Sequence, residues 1–214
     1  MPRRPRGVPG PGGAVVQVTQ PSGRRERNKQ VKLERIVAAA KELFAEQGVD
    51  EVTTQQIAER ADIGAGTLFL YVKNKGELLL LVQNEHYREA LELGRRAAAD
   101  APTLVDAVVA LVEPVVACNR VQVENGRTYL REMAFGDPGE PNHAEALTIA
   151  GETERTVAGL IAEHGGLDED RAATLAHVVS AVLFVTMVSS ADPGTSVAAV
   201  VATIRAQVGA VLPS

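Results

Sequence analysis

From Val31 onward the chain sets Ile36, Val37, Ala40, Leu43 and Phe44 at three- and four-residue spacings, the period of a helix with one apolar face. Gly48 stands where such a helix stops, so a helix over 28–47 is predicted. Thr53 followed by Gln56 forms a capping-box pair, and Ile57, Ala58 and Ala61 supply a short apolar face behind it. Asp62-Ile63-Gly64 interrupts the period, which Ala65 to Val72 resumes with Leu68 and Val72 on one side. Two short helices about a tight turn make a helix-turn-helix, the second helix being the one presented. Asn74 and Glu77 form a second capping box, opening a longer helix through Leu78, Leu81 and Val82 to about Arg95.

The remainder also reads as helices. Thr103 with Asp106 opens one that Pro114 is expected to kink, and Gly126–Phe135 is a shorter one. After the loop 136–141, Asn142 and Glu145 are expected to cap a long helix that ends at Gly165-Gly166. Asp168 starts a helix with no charged residue from Ala172 to Ala191. The last helix lines up Val197, Val201, Ile204, Val208 and Val211 as a heptad-like seam. No strand alternation and no internal repeat is visible, so the expected class is all-α. The uncharged stretch has the length of a membrane span, but Thr174, His177, Ser180, Thr186, Ser189 and Ser190 make it too polar for lipid on every side. It is expected to be buried, in a core or a subunit interface.

Charge divides the chain. The net charge of -5 over 214 residues averages a first part, 1–75, at +5 and a second, 76–214, at -10. Only the N-terminal third is suited to approach phosphate. Residues 1–27 read as a disordered arm, because 1–23 hold five of the 11 prolines and little that could build a core. The arm carries Arg3, Arg4 and Arg6, and the run Arg24, Arg25, Arg27, Lys29 and Lys32 leads into the first helix. A head at 28–76 and a second domain at 77–214 complete the expected organisation. Cys118, the single cysteine, has no partner for a disulfide, and the Arg-rich start lacks a secretory h-region, so the cytoplasm is the expected compartment.

Enzyme signatures are missing. Gly64-Ala65-Gly66 is a fragment of a dinucleotide fingerprint without a strand before it, and there is no Walker loop, HExxH or GxSxG. A metal pair at His143 and Glu145 competes with a plain solvent-exposed capping turn. No catalytic residue, metal or cofactor is expected.

The segment TTQQIAERADIGAGTLFLYVKNKGELL, from Thr53 to Leu79, resembles the DNA-binding domain of the tetracycline-repressor (TetR) family. The paired threonines, Ile57-Ala58, Gly66-Thr67-Leu68 with the aromatic Phe69, and Tyr71 and Lys75 at their spacing carry the likeness. Extended back to Ala39–Phe44 it covers about forty residues. The resemblance implies a three-helix DNA-binding head and a C-terminal helical bundle for ligand binding and dimerisation. It implies a homodimer on double-stranded palindromic operator DNA, and a transcriptional repressor released by a small-molecule inducer. An architectural DNA binder without ligand and a helical enzyme or metal-binding protein are the alternatives.

Thr53, Thr54, Gln55, Ala65, Gly66, Thr67, Leu70, Tyr71, Lys73 and Lys75 are the residues expected at the DNA. Thr54, Thr67, Tyr71 and Lys75 each offer a donor for phosphate, beside the plainer readings of capping and ring packing. Ala65, Gly66 and Leu70 offer bases no hydrogen bond, so polar readout falls to Gln55 and the arm. Departures from the usual pattern are Asp62 where a turn glycine is common, Gly64 for a serine cap, and Phe69 for tyrosine. Candidate ligand-pocket residues are Cys118, Tyr129, Met133, Phe135 and Phe184, and the last two helices are expected to pair with their symmetry mates.

Overall fold

The computed structural model describes residues 23–190 and 192–213, the Arg25 side chain excepted. Residues 1–22 of the expected arm, with Arg3, Arg4 and Arg6, lie outside the described residues. Among the described residues the chain forms nine helices and no strand. They are α1 (Arg24–Gln47), α2 (Thr54–Arg60), α3 (Ala65–Leu68), α4 (Lys75–Ala98), α5 (Leu104–Arg120), α6 (Val123–Phe135), α7 (Pro141–Gly165), α8 (Glu169–Ser189) and α9 (Val197–Val211). The all-α expectation holds.

Most boundaries follow local chemistry. The Thr53 hydroxyl accepts from the Gln56 N–H while the Gln56 side chain reaches back to the Thr53 N–H, which satisfies two otherwise orphaned donors. Thr103 and Asp168 cap α5 and α8 by accepting from the N–H groups of Asp106 and Arg171. Gly48 ends α1 at a positive φ of 81° that an L side chain resists. Asp62 takes the left-handed position after α2 at φ 51°, with the Ile63 N–H bonded to the Ala58 carbonyl and the Asp62 N–H to that of Glu59. That pair of bonds is a Schellman closure made without glycine, and Arg35 steadies it by donating to both the Asp62 carboxylate and its carbonyl.

Four expectations need correction. α1 begins at Arg24 rather than 28, because the basic run is itself a good helix former. α3 is a single turn: beyond Leu68 the bonds from Leu70 to Thr67 and from Tyr71 to Leu68 are three-residue turns. α7 starts at Pro141, whose missing N–H costs nothing at a first helical position, so Glu140 and not Asn142 precedes it. Asn74 does cap α4, but the Glu77 carboxylate leaves its own turn and accepts from the Asn142 N–H at the start of α7, so the second capping box is only half made.

A single core runs through the molecule, from Ile36 and Phe44 in α1 through Leu78, Leu79 and Leu91 in α4 to Ile204 and Leu212. α4 packs on α1, α5, α6 and α7 and so belongs to both ends of it. The seam of α9 faces this core: Val201, Ile204 and Val208 are buried against α5 and α8 of their own chain. The expectation that this seam meets a second copy is therefore corrected. α8 is long and apolar enough to cross a membrane, yet Ala172, Ala176, Val179 and Leu183 are buried against its neighbours. Arg120 donates to the carbonyls of Ser190, Asp192 and Thr195, fixing the connection from α8 to α9.

Candidate functional site

α2 and α3 lie on one side of the head with their apolar faces, Ile57, Ala58 and Leu68, fully inside. Thr53, Gln55, Gly66 and Leu70 are exposed there, and Thr54, Ala65, Thr67 and Tyr71 are half-buried. The expected DNA residues of the two helices and the turn after them are thus brought together. Gln55 donates to Glu59 one turn on, at 2.8 Å. Gly64, in the position of a side-chain cap, leaves α3 without one.

The two lysines after α3 serve the protein's own frame. Lys75 sits in the first turn of α4 and donates to the carbonyls of Asp50 and Val52 at 3.1 and 2.9 Å, pinning the connection between α1 and α2. One of its three protons remains for a phosphate at that helix start. Lys73 pairs with Glu140 and, at 3.1 Å, with Asp137, both before α7. Glu140 and then Asp137 hold its ammonium above the ordinary lysine range, while the Gly139 N–H and then Lys73 hold the Asp137 carboxyl below its own. Both are surface groups, so the clasp is salt-sensitive and weak in water.

Two deeper ties join the head and the start of α4 to the rest. Asn125 on α6 is 2% exposed; its amide donates to the Phe44 carbonyl at 2.8 Å and its oxygen accepts from the Val49 N–H at 2.7 Å. It therefore closes the C-terminus of α1 from outside. The second tie is the bond from Asn142 to Glu77 described above, and Asn84 on α4 donates to the Asn142 carbonyl at 2.9 Å. Asn84 also accepts from the Tyr129 hydroxyl at 2.9 Å, and Tyr129 stacks on Tyr87 with ring centroids 4.1 Å apart. The Asn119 amide donates to the Tyr87 hydroxyl at 2.7 Å. Burial raises the proton affinity of both phenols, which stay neutral.

The stacked tyrosines form one wall of a cavity of about 330 Å³ between α4, α5, α6, α7 and α8. Leu130, Ile149, Leu183 and Met187 make most of the rest, and Glu154 with His177, its Nδ1 3.3 Å away, join the two phenols as the ionisable groups in the lining. Tyr129, Met133 and Phe184 line this cavity as the sequence suggested. Cys118 and Phe135 do not. Cys118 faces a separate groove beside Lys41 and His86, and Phe135 is 83% exposed at the end of α6. An apolar residue type marks a wall, a core and a surface alike, so the sequence could not say which cavity each residue would face. Asn125, Asn84 and Tyr87 are functional candidates that the sequence reading missed. His143 is buried at 4%, not on an exposed turn; its Nδ1 has no partner among the described residues, and Glu145 pairs with Arg88. No group of three potential metal ligands occurs among the described residues.

Burial, and then the Glu89 carboxylate, push the Cys118 thiol up to about 11. At pH 8 about one thiol in a thousand is thiolate, so alkylation by iodoacetamide should be slow and should quicken about tenfold per pH unit to pH 10. Half-complete labelling within minutes at pH 7.5, read by intact mass, would contradict this environment.

Residues 36–82 match the profile of the bacterial regulatory proteins of the tetR family. A fatty acid metabolism regulator protein of Bacillus subtilis is 33% identical over 66 residues, which are 31% of this chain and 34% of that protein. The chain thus spans about a third of that relative's length. Among solved structures, Thermus thermophilus FadR, a TetR family transcriptional repressor in complex with lauroyl-CoA, superposes with a TM-score of 0.65 at 24% identity, over 82% of this chain and 92% of that one. FadR from Bacillus subtilis in complex with stearoyl-CoA gives 0.57 at 18% identity, over 82% and 97%. At these identities the structures establish a shared fold.

Proposed function

We propose that this chain, whose residues 36–82 match the profile of the bacterial regulatory proteins of the tetR family, is a dimeric, cytoplasmic repressor of transcription. It binds a palindromic operator through α2, α3 and the turn that follows, and it releases the operator when a long acyl chain fills the cavity beside Tyr129. The observation that carries this reading is the double employment of α6. Asn125 and Tyr129 stand four residues apart on one face of that helix, the first closing α1 of the head and the second forming the cavity wall. A ligand that displaces Tyr129 moves Asn125 with it, and the head turns relative to its dimer mate. Two half-sites must be met at once, so a small change of spacing is enough to lose the operator.

The acyl chain is argued from the lining, which is almost wholly carbon, and from a volume within the roughly 300–1,000 Å³ typical of small-molecule sites. The acyl-CoA complexes of two neighbours of like fold support the same class. Selection of bound DNA from a random pool should enrich one palindrome, and lauroyl-CoA or stearoyl-CoA should release it where acetyl-CoA does not. Failure to enrich any sequence, or release indifferent to chain length, would overturn the corresponding half of the proposal.

The second copy is placed on the outer face of α8 and α9. Val178, Val185 and Val188 are 39%, 60% and 41% exposed on α8, beside the exposed small residues Ala202, Ala206 and Gly209 of α9, which let helices approach closely. Val185→Asp should bury an unpaired charge at this interface and raise the dimer dissociation constant on the order of a hundredfold. Sedimentation velocity tests it; a Val185→Asp protein that stays dimeric at micromolar concentration would move the interface elsewhere.

A further inference from the structure

We infer that the segment after Leu68 reads thymine methyl groups in the major groove, with Leu70 and Phe69 as the reading side chains. The inference rests on the DNA-binding reading above and names what that surface recognises. Leu70 is 78% exposed and Phe69 52%, the two adjacent on the element presented to DNA, while Leu68 before them is wholly buried. The three-residue turns that end α3 bring this about, because they tighten the chain at once after the buried leucine. A lone exposed apolar side chain calls for no explanation, but two side by side on a recognition surface form a patch that water solvates poorly.

The groups that could read bases by hydrogen bonding are few in the same place. Ala65 has none to offer, and around Gly66 nothing stands within 4 Å of where a Cβ would be, leaving that side open to a base edge. Gln55 spends a donor on Glu59, and Lys73 is held by Glu140 and Asp137. In the major groove the one apolar mark that distinguishes a base is the C5 methyl of thymine. An apolar reading surface discriminates by covering that methyl, and by leaving the polar edge of any other base there without a partner.

The test uses the full chain and the operator obtained by selection. Each thymine is replaced in turn by deoxyuridine, which removes the methyl and leaves the pairing unchanged. At two or more positions per half-site the affinity should fall about three- to fivefold, the factor expected for losing one methyl-sized apolar contact. Leu70→Ala should weaken binding to the unmodified operator and erase the deoxyuridine penalty at one of these positions, and Phe69→Ala at another. Because both side chains are largely exposed, the variants should melt as the parent does, which a thermal scan checks. An operator that tolerates deoxyuridine throughout, or a penalty that Leu70→Ala leaves intact, would overturn the inference. If no operator is selected at all, the DNA-binding reading fails first; an operator selected but blind to deoxyuridine defeats the methyl readout alone.

Discussion

Asn125→Ala should lower the melting temperature by roughly 2–12 °C. The substitution leaves the Val49 N–H without its acceptor in a place where the asparagine is 2% exposed, while the Phe44 carbonyl keeps the Gly48 N–H as a donor. A buried group so abandoned costs about 1–3 kcal/mol, and for a chain of this length each kcal/mol is worth about 2–4 °C. The loss should be local in its first step. Hydrogen exchange at the Val49 amide should speed up well before the global transition, since that amide has lost its acceptor. Asn125→Asp should rescue only in part: a carboxylate accepts from Val49, but it repels the Phe44 oxygen and is itself costly to bury. Wild-type melting together with unaltered Val49 protection in Asn125→Ala would show that the tie carries no weight.

Gly94→Ala is expected to lower the melting temperature by roughly 4–8 °C, against the usual rule that alanine stabilises a helix interior. Gly94 lies where α4 crosses α5, and a Cβ there would overlap the Leu111 carbonyl oxygen. A backbone carbonyl cannot swing aside as a side-chain tip does, so the two helices must part. Overpacking of this kind costs about 3 kcal/mol, more than the roughly 1 kcal/mol that alanine gains over glycine in helix propensity. Gly159, in α7, supplies the contrast, for nothing lies within 4 Å of its Cβ position. Gly159→Ala should therefore raise the melting temperature by about 2–4 °C. Calorimetry on the two variants decides the matter, and a Gly94→Ala protein as stable as the parent would mean that α4 and α5 are less closely packed than described.

The features legible in the sequence are those whose cause is local. Thr53 with Gln56, Thr103 and Asp168 each announce a helix start because the capping group and the N–H it satisfies lie within three residues. The helical period located the inner face of α9 correctly, yet it could not say what covers that face; Ile204 meets its own chain, not a second one. The half-made box at Asn74 shows the same boundary from another side, since Glu77 finds its partner 65 residues away. In the candidate site, Tyr129, Met133 and Phe184 were recognisable as apolar or amphipathic residues suited to a pocket. Asn84 and Asn125 were not, because an asparagine within a helix carries no mark of the distant carbonyl it will bind. Asp62 was the most informative departure from pattern: its tolerance of left-handed geometry was readable in advance, and its bond to Arg35 was not.

The continuity of the core from Ile36 to Leu212 bears on how such a protein can change over time. With α4 built into both ends, and with an asparagine of α6 finishing a helix of the head, there is no seam along which the DNA-reading part could be lifted out and grafted onto another regulator. A chimera joined after Asn74 would bring a new α1 into contact with an α4 and an Asn125 shaped for the old one. On the proposed reading, new operators are most cheaply acquired by exchanging exposed residues such as Gly66, Phe69 and Leu70, which leaves the interior intact, whereas a new ligand requires recutting a wall of Tyr129, Leu130, Leu183 and Met187 that belongs to the core. A change of operator is on that reading the smaller step, and a change of ligand the larger one.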